Sequence, residues 1–286
     1  MRVGVLGNSD YPALGEVIAN FLREAPRLGM EVFLEPQLLP LAAGASELAG
    51  PEGLDAVVSL GGDGTMLRAA RFLDGADVPV LGVNFGRLGY LASCSPKEFP
   101  RFLPRFAKGT YTSDVRMALE ATTGITGTEH GTRLRAVNDV VMHKGGFARV
   151  LRIRLTVNNE EIGVLAADGI VISTPTGSTA YSMSAGGPIV EPGVHSLIVT
   201  PIAAHTLAMR PLVLRPESII TLQPEDVHGE VLVTVDGQVG ASLVGGHALI
   251  VRRAERPVRI VRFHGTTFIG RLRRKLGWGG LADRDD

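Results

Sequence analysis

Cysteine, net charge and long apolar runs are what this chain lacks, and each shortage removes a class of protein. Its one cysteine, Cys94, excludes an internal disulfide framework and any cysteine-rich metal site. A reducing, cytoplasmic setting is the expectation that follows. The charges cancel, 29 basic against 29 acidic, so the broad basic field that favours nucleic acid or an anionic membrane is missing, and neither is expected as a partner. No segment approaches the roughly 20 apolar residues that span a bilayer. The opening MRVGVLGNSD breaks its short apolar run with glycine and polar residues, unlike a signal sequence. The seven histidines show no metal-ligand spacing such as HExxH, and no metal site built from the protein alone is expected. His205 in AAHTL reads as a structural histidine.

Glycine, by contrast, is plentiful: 36 residues in 286, against an average usage of about 7%. Many backbone positions are therefore expected to need positive φ or close approach to a ligand. With 45% hydrophobic and 20% charged residues, the length suits one large domain or two modest ones.

The texture changes near residue 110. Before it, RVGVLG, EVFLE, DAVVSL and VPVLGVN alternate with helical patterns, as a parallel α/β sheet requires. In the first helix Leu14, Val17, Ile18, Phe21 and Leu22 follow i, i+3, i+4, i+7, i+8, and Pro26 and Gly29 close it. After it, short β-rich segments recur between turn signals. VLRIRLTV places Leu151, Ile153, Leu155 and Val157 on one face before Asn158-Asn159, and GEVLVTVDGQ ends a strand in Asp236-Gly237. The expected fold is thus an α/β N-terminal domain with a parallel, Rossmann-like sheet (residues 1–111) and an all-β domain, sandwich or barrel (112–260). A C-terminal segment (261–286) forms a helix that packs back on the first domain, followed by a frayed tail. Its cluster Arg271, Arg273, Arg274 and Lys275 reads as a solvated helical face.

Two constellations carry chemistry. SLGGDGT follows the strand DAVVSL and precedes the helical pattern TMLRAARFL, with Thr65 suited to cap the helix. Ligands in open α/β sheets sit at the carboxyl ends of strands, and Gly61, Gly62 and Gly64 let backbone amides approach anionic oxygens. The motif is neither a Walker A loop nor a GxGxxG fingerprint, and a tight turn accounts for the glycines equally well. Asp63 shifts the balance, because a carboxylate among phosphate-attracting amides is costly unless it handles a proton or a metal. The second constellation, residues 167–192, runs from the strand GIVIS into Thr174, Thr176, Ser178, Thr179, Tyr181, Ser182 and Ser184. Many short donors with little bulk suit a ligand bearing ribose or phosphate, although polar loops of this kind also occur in ordinary β proteins.

GGDGT at 61–65, AVNDVVMHKGG at 136–146, DGIVISTPTGSTAYSMSAGGPIVEP at 168–192 and TPIAAHTLAMRPLV at 200–213 together resemble the NAD kinase family. GGDGT alone is shared with lipid kinases and phosphofructokinases; the four in this order are specific. The resemblance implies transfer of the ATP γ-phosphoryl group to the 2′-hydroxyl of the adenosine ribose of NAD, giving NADP. It implies Asp63 as proton acceptor, with magnesium arriving on ATP. It implies NAD or ATP contacts from Gly61, Gly62, Gly64, Arg68, Asn138, Asp139, Asp168, Thr179, Ala180, Tyr181, Ser182, Met183 and Ser184, and, on spacing, from Arg149, Ala203 and Gln238. Many relatives have Glu where Asp139 stands, and some have a basic residue where Ala166 stands. Without the family, Arg68 reads equally as a solvated helix charge, Asn138-Asp139 as a bulge or edge, and Tyr181 as a half-buried core tyrosine. The family is commonly dimeric or tetrameric, with pockets that borrow residues from a neighbouring subunit. A lipid kinase and a non-catalytic nucleotide-binding module are the rival readings.

Overall fold

The structure, a computed structural model, describes residues 1–86, 89–125, 131–145, 150–205, 208–225, 230–243, 246–263 and 267–278. The chain divides into two units: Met1–Val115 together with the chain from Val258 onward, and Arg116–Pro257.

The first unit opens with β1 (Arg2–Gly7), whose last five residues are all buried, as in a parallel strand covered on both faces. Helix α1 (Leu14–Glu24) buries Leu14, Ile18 and Phe21 along the stripe its spacing predicts. A 3-10 turn at Pro26–Leu28 follows, and Gly29 ends it at φ 70°, a conformation that favours glycine. Then come β2 (Glu31–Leu34), the two-residue β3 (Ser46–Glu47), the fully buried β4 (Ala56–Gly61), α2 (Asp63–Leu73), β5 (Val80–Asn84), α3 (Phe99–Ala107) and β6 (Thr112–Arg116).

The second unit is antiparallel. Its strands are β7 (Leu119–Ile125), β8 (Gly131–Ala136), β9 (Asp139–Lys144), β10 (Leu151–Val157), β11 (Glu160–Ala167), β12 (Gly169–Ser173), β13 (Leu197–Ile202), β14 (Leu212–Leu214), β15 (Ile220–Glu225), β16 (Val231–Val235), β17 (Gln238–Leu243) and β18 (His247–Arg253). A short helix, α4 (Tyr181–Ser184), follows β12. One sheet has the order β11-β10-β15-β18-β7-β8 and the other β14-β13-β12-β9-β16-β17. Side chains from both, including Ile153, Leu155 and Leu222 of the first and Met142, Ile170 and Val199 of the second, share one buried cluster, the arrangement of a sandwich. The alternation in β10 holds, with Leu151, Ile153, Leu155 and Val157 all buried. Both predicted hairpin turns form, with positive φ at Asn158 and Asn159 and at Asp236 and Gly237, as type I′ geometry demands.

The chain then returns to the first unit as β19 (Val258–Arg262) and α5 (Phe268–Leu276). The first sheet takes the order β3-β2-β1-β4-β5-β19-β6, with β19 parallel to β5. Its fold class, a parallel α/β sheet beside antiparallel β sheets, is the one expected. The division falls at 115/116 and 257/258 rather than at 111/112 and 260/261, because β6 and β19 look like the β-rich middle of the chain yet join the first sheet. Among the described residues no helix is long and apolar enough to cross a membrane.

Candidate active site

In the first sheet the strand order reverses between β1 and β4, so the crevice beyond their carboxyl ends is where such a sheet takes its ligand. GGDGT lies there. Gly61 is the last residue of β4, and Asp63 is already the first of α2, with Gly62 in the capping position. Thr65 does not cap. It is buried within the first turn of α2, and its Oγ1 would lie 2.1 Å from a Cβ on Gly61, so the threonine fills the space a side chain at 61 would need. None of Gly61, Gly62 or Gly64 has positive φ; a side chain is excluded at Gly61, whereas a Cβ on Gly62 would meet nothing closer than 3.8 Å and one on Gly64 nothing within 4 Å.

The Asp63 carboxylate is held at both oxygens. The Tyr90 amide donates to Oδ2 at 2.8 Å and the Leu91 amide to Oδ1 at 3.0 Å. A Cβ on Gly89 would lie 2.1 Å from Oδ1, so the carboxylate occupies the place of a side chain there. The electrostatic cost expected of an acid in this turn is therefore met locally, by two amides and by the positive end of α2. Each oxygen keeps a lone pair for a further proton or hydrogen bond.

Arg68, one turn along α2, is neither a solvated charge nor an open phosphate fork. Its Nη1 and Nη2 donate to the two oxygens of Glu35 at 2.8 and 2.9 Å, and Nη2 also donates to the carbonyl of Gly7. Glu35 is buried and also accepts from the Gly7 amide at 2.5 Å and from Gln37 Nε2 at 2.8 Å. Sequence reasoning missed Glu35, although an acid directly after the EVFL strand is a signal of the same kind as Asp63 after β4.

In the second unit Asp139 begins β9 and is 4% exposed. Burial and then the charge of Asp236 push its carboxyl up to about 7, against a bond from the Tyr181 amide that favours the ionised form. Asp236 was legible only as a hairpin residue. Its carboxylate accepts from the Val137 amide at 3.0 Å, the Asn138 amide at 2.7 Å and the Asp139 amide at 3.3 Å, and its own amide donates to the Asp139 carbonyl at 3.0 Å. Asn138 and Asp139 are thus set by a turn almost a hundred residues away. Asp139 is not at an edge, since β9 pairs with β12 and β16 on its two sides, and Asn138 lies in the bend just before the strand.

The hydroxyl-rich run after β12 is mostly turned inward. Thr174 Oγ1 donates to the Val137 carbonyl at 2.6 Å and accepts from the Gly177 amide; Ser178 Oγ bridges the Pro175 carbonyl and the Val190 amide; Ser182 Oγ bonds Thr200 Oγ1 at 2.9 Å. Ser182 is fully buried. Thr179, Ala180 and Met183 are half-buried and Ser184 is exposed. Tyr181 is exposed rather than a core tyrosine, at 46%. Asp168, between β11 and β12, pairs with Lys144 Nζ at 2.7 Å. Ala203 stands exposed just past β13 at φ 46°, and Gln238 opens β17, also exposed. His205 is exposed, with its amide on the Ala166 carbonyl. Arg149 lies outside the described residues.

Comparison with known proteins adds the remaining findings. Residues 46–111 match the ATP-NAD kinase N-terminal domain and residues 137–263 the ATP-NAD kinase C-terminal domain. The NAD kinase of Gemmatimonas aurantiaca is 51% identical over 285 residues, covering 100% of this chain and 99% of that protein. That of Syntrophotalea carbinolica is 38% identical over 282 residues, covering 97% and 99%. Among solved structures, an NAD kinase from Archaeoglobus fulgidus in complex with ATP aligns with a TM-score of 0.74 at 26% identity, over 97% of this chain and 98% of that one. Yeast NADH kinase in complex with NADH shares the fold, with a TM-score of 0.88 at 24% identity over 98% and 88%.

Proposed function

The chain belongs to the ATP-NAD kinase family, and from that premise we propose how its residues divide the work of the reaction it catalyses. That reaction moves the γ-phosphoryl group of ATP to the 2′-hydroxyl of the adenosine ribose of NAD and yields NADP. The observation that carries the assignment is Asp63, a carboxylate at the carboxyl end of β4 whose two oxygens are aimed by the amides of Tyr90 and Leu91.

A ribose hydroxyl is far too weak an acid for a carboxylate to deprotonate it beforehand. Asp63 instead takes the proton as the oxygen–phosphorus bond forms, help worth about 10²–10⁴-fold. The glycine turn and the first amides of α2, which have no carbonyl one turn back, face the phosphates. Arg68 adds positive charge there while shared with Glu35. In the second unit Asn138 and Asp139, held by Asp236, and the exposed Tyr181 serve the nucleoside of the substrate.

Magnesium belongs to this reading as part of the ATP substrate. Carried on the ATP phosphates, it would supply positive charge that neutralises and orients the γ-phosphate.

A homodimer or homotetramer with pockets near subunit interfaces completes the proposal. A cytoplasmic location is part of the proposal, for a chain whose one cysteine can form no internal disulfide. Specific activity that falls on dilution supports the oligomer; activity undiminished in a monomer counts against it.

The lipid-kinase and non-catalytic readings are not favoured, because full-length relatives are NAD kinases. Purified protein incubated with magnesium-ATP and NAD produces NADP, while a parallel incubation with a diacylglycerol acceptor yields no phosphorylated lipid. Phosphate on the lipid and none on NAD refutes the assignment.

A further inference from the structure

The amides that aim Asp63 belong to a turn that is itself held from its other side. Arg262, the last residue of β19, has a guanidinium that meets three successive carbonyls: Nη2 donates to Tyr90 O at 3.0 Å, and Nη1 to Leu91 O at 2.8 Å and Ala92 O at 2.6 Å. Nε donates to Asp114 Oδ2 at 3.0 Å, which fixes the plane of the fork, and the side chain is only 11% exposed. A second arginine joins it. Arg271 of α5 is buried, not part of a solvated face, and its Nη1 donates to Tyr90 O at 3.2 Å. Lys275, one turn further on, places its ammonium 4.3 Å from the centre of the Tyr90 ring.

One peptide group links these contacts. The carbonyl of Tyr90 and the amide of Leu91 are the two ends of a single peptide plane. Two guanidinium groups donate to its oxygen, and its N–H donates to Asp63 Oδ1. A peptide whose carbonyl is hydrogen-bonded to cations is polarised and becomes a stronger donor at nitrogen. The carbonyls of Leu91 and Ala92, pinned by the same fork, stop the turn from pivoting. A lysine cannot replace this contact, because an ammonium lacks the planar fork that spans three acceptors and a carboxylate at once.

We propose that Arg262, assisted by Arg271, is a positioning residue for phosphoryl transfer: it fixes the turn at residues 90–92 and, through the Tyr90–Leu91 peptide, the carboxylate of Asp63. The inference rests on the reading of Asp63 as proton acceptor. It gives the returning C-terminal segment a part in the chemistry, beyond completing the first sheet.

The test is a double-mutant cycle on the full-length enzyme, with NADP formation measured at saturating ATP and NAD and thermal unfolding followed in parallel. Arg262→Lys lowers kcat roughly ten- to a hundredfold, the scale of a misplaced catalytic group, with KM for both substrates within about twofold of wild type. In an Asp63→Asn background the same substitution changes kcat by less than about twofold, because the group it positions is already disabled. The fall in unfolding temperature is the same in both backgrounds. Arg271→Gln, which removes one of the two donors on Tyr90 O, gives a smaller kcat loss of the same kind and supplies the result if Arg262→Lys does not fold. An equal kcat loss in both backgrounds, or a loss confined to KM, overturns the proposal. Asp63→Asn that keeps near-wild-type turnover overturns the reading of Asp63 itself; a crippled Asp63→Asn beside a fully active Arg262→Lys overturns only the positioning role.

Discussion

Replacing Asp236 with asparagine separates its two duties, forming a hairpin turn and holding the Asn138–Asp139 backbone. Asn-Gly is favoured in type I′ turns and tolerates the φ of 49° at this position, so the hairpin survives. The backbone support is weakened. Oδ1 accepts from the amides of Val137, Asn138 and Asp139, and Oδ2 accepts from Val137 as well; an asparagine keeps one neutral acceptor oxygen and turns its NH₂ group toward the Val137 amide. The lost charge assistance and the facing donors together amount to roughly 2 kcal/mol at a half-buried site. An opposing effect depends on pH. The charge of Asp236 is, after burial, a cause of the raised Asp139 carboxyl, pushed up to about 7.

Below that value Asp139 is neutral in the folded protein and no repulsion exists to relieve; above it, both acids are charged and the substitution removes the repulsion. The penalty is therefore full, about 2 kcal/mol, at pH 5.5 and falls to about 1 kcal/mol at pH 8.5. Urea unfolding at the two pH values measures it, followed by far-UV circular dichroism because the only tryptophan, Trp278, is exposed and a poor reporter. A penalty that is equal at both pH values, or larger at pH 8.5, refutes the reasoning.

Asp139→Asn tests the same acid from its own side. A carboxyl raised on folding contributes stability that is full below its unfolded value near ~4 and lost as pH rises through the folded value. Wild type thus loses stability between about pH 4 and its Asp139 pKa of about 7; the variant lacks this downhill slope and is the more stable at pH 8 by about 1–3 kcal/mol. An unchanged slope contradicts this. Gly89→Ala drives a Cβ to 2.1 Å from Asp63 Oδ1, and a kcat loss of about 100-fold is expected as the carboxylate leaves its amides; a kcat within twofold of wild type means the carboxylate tolerates displacement. Glu35→Gln costs about 1–2 kcal/mol in urea unfolding, reduced from the figure for a fully buried pair because Arg68 is one-third exposed. No measurable loss contradicts the structural role of the Glu35–Arg68 pair.

Local pattern was enough to read much of the fold. Leu151 to Val157 alternate because one face must be buried, and both two-residue turns carry residues that accept positive φ. The position of GGDGT after a buried strand was legible for the same reason. What the sequence hid were directions and distant partners. The hydroxyl count of residues 174–184 was visible, but Thr174, Ser178 and Ser182 turn inward because the segment leaves β12 through the interior, where polar groups need partners. Thr65 looked like a cap until Gly61 gave its side chain a place to sit. Arg68 offered a charge, and nothing local revealed that Glu35, 33 residues earlier, already holds it. Asp236 and Arg262 act on backbone 97 to 172 residues away, which no periodicity reports.

Turnover of Asp63→Asn tests the role of Asp63 as proton acceptor most directly. The asparagine keeps the size of the side chain, and its carbonyl oxygen still accepts from one of the two amides, but its basicity is gone. Steady-state NADP formation from magnesium-ATP and NAD is expected to fall about 10²–10⁴-fold in kcat, with KM for both substrates changed by no more than about threefold. Turnover within a few-fold of wild type contradicts Asp63 as the proton acceptor.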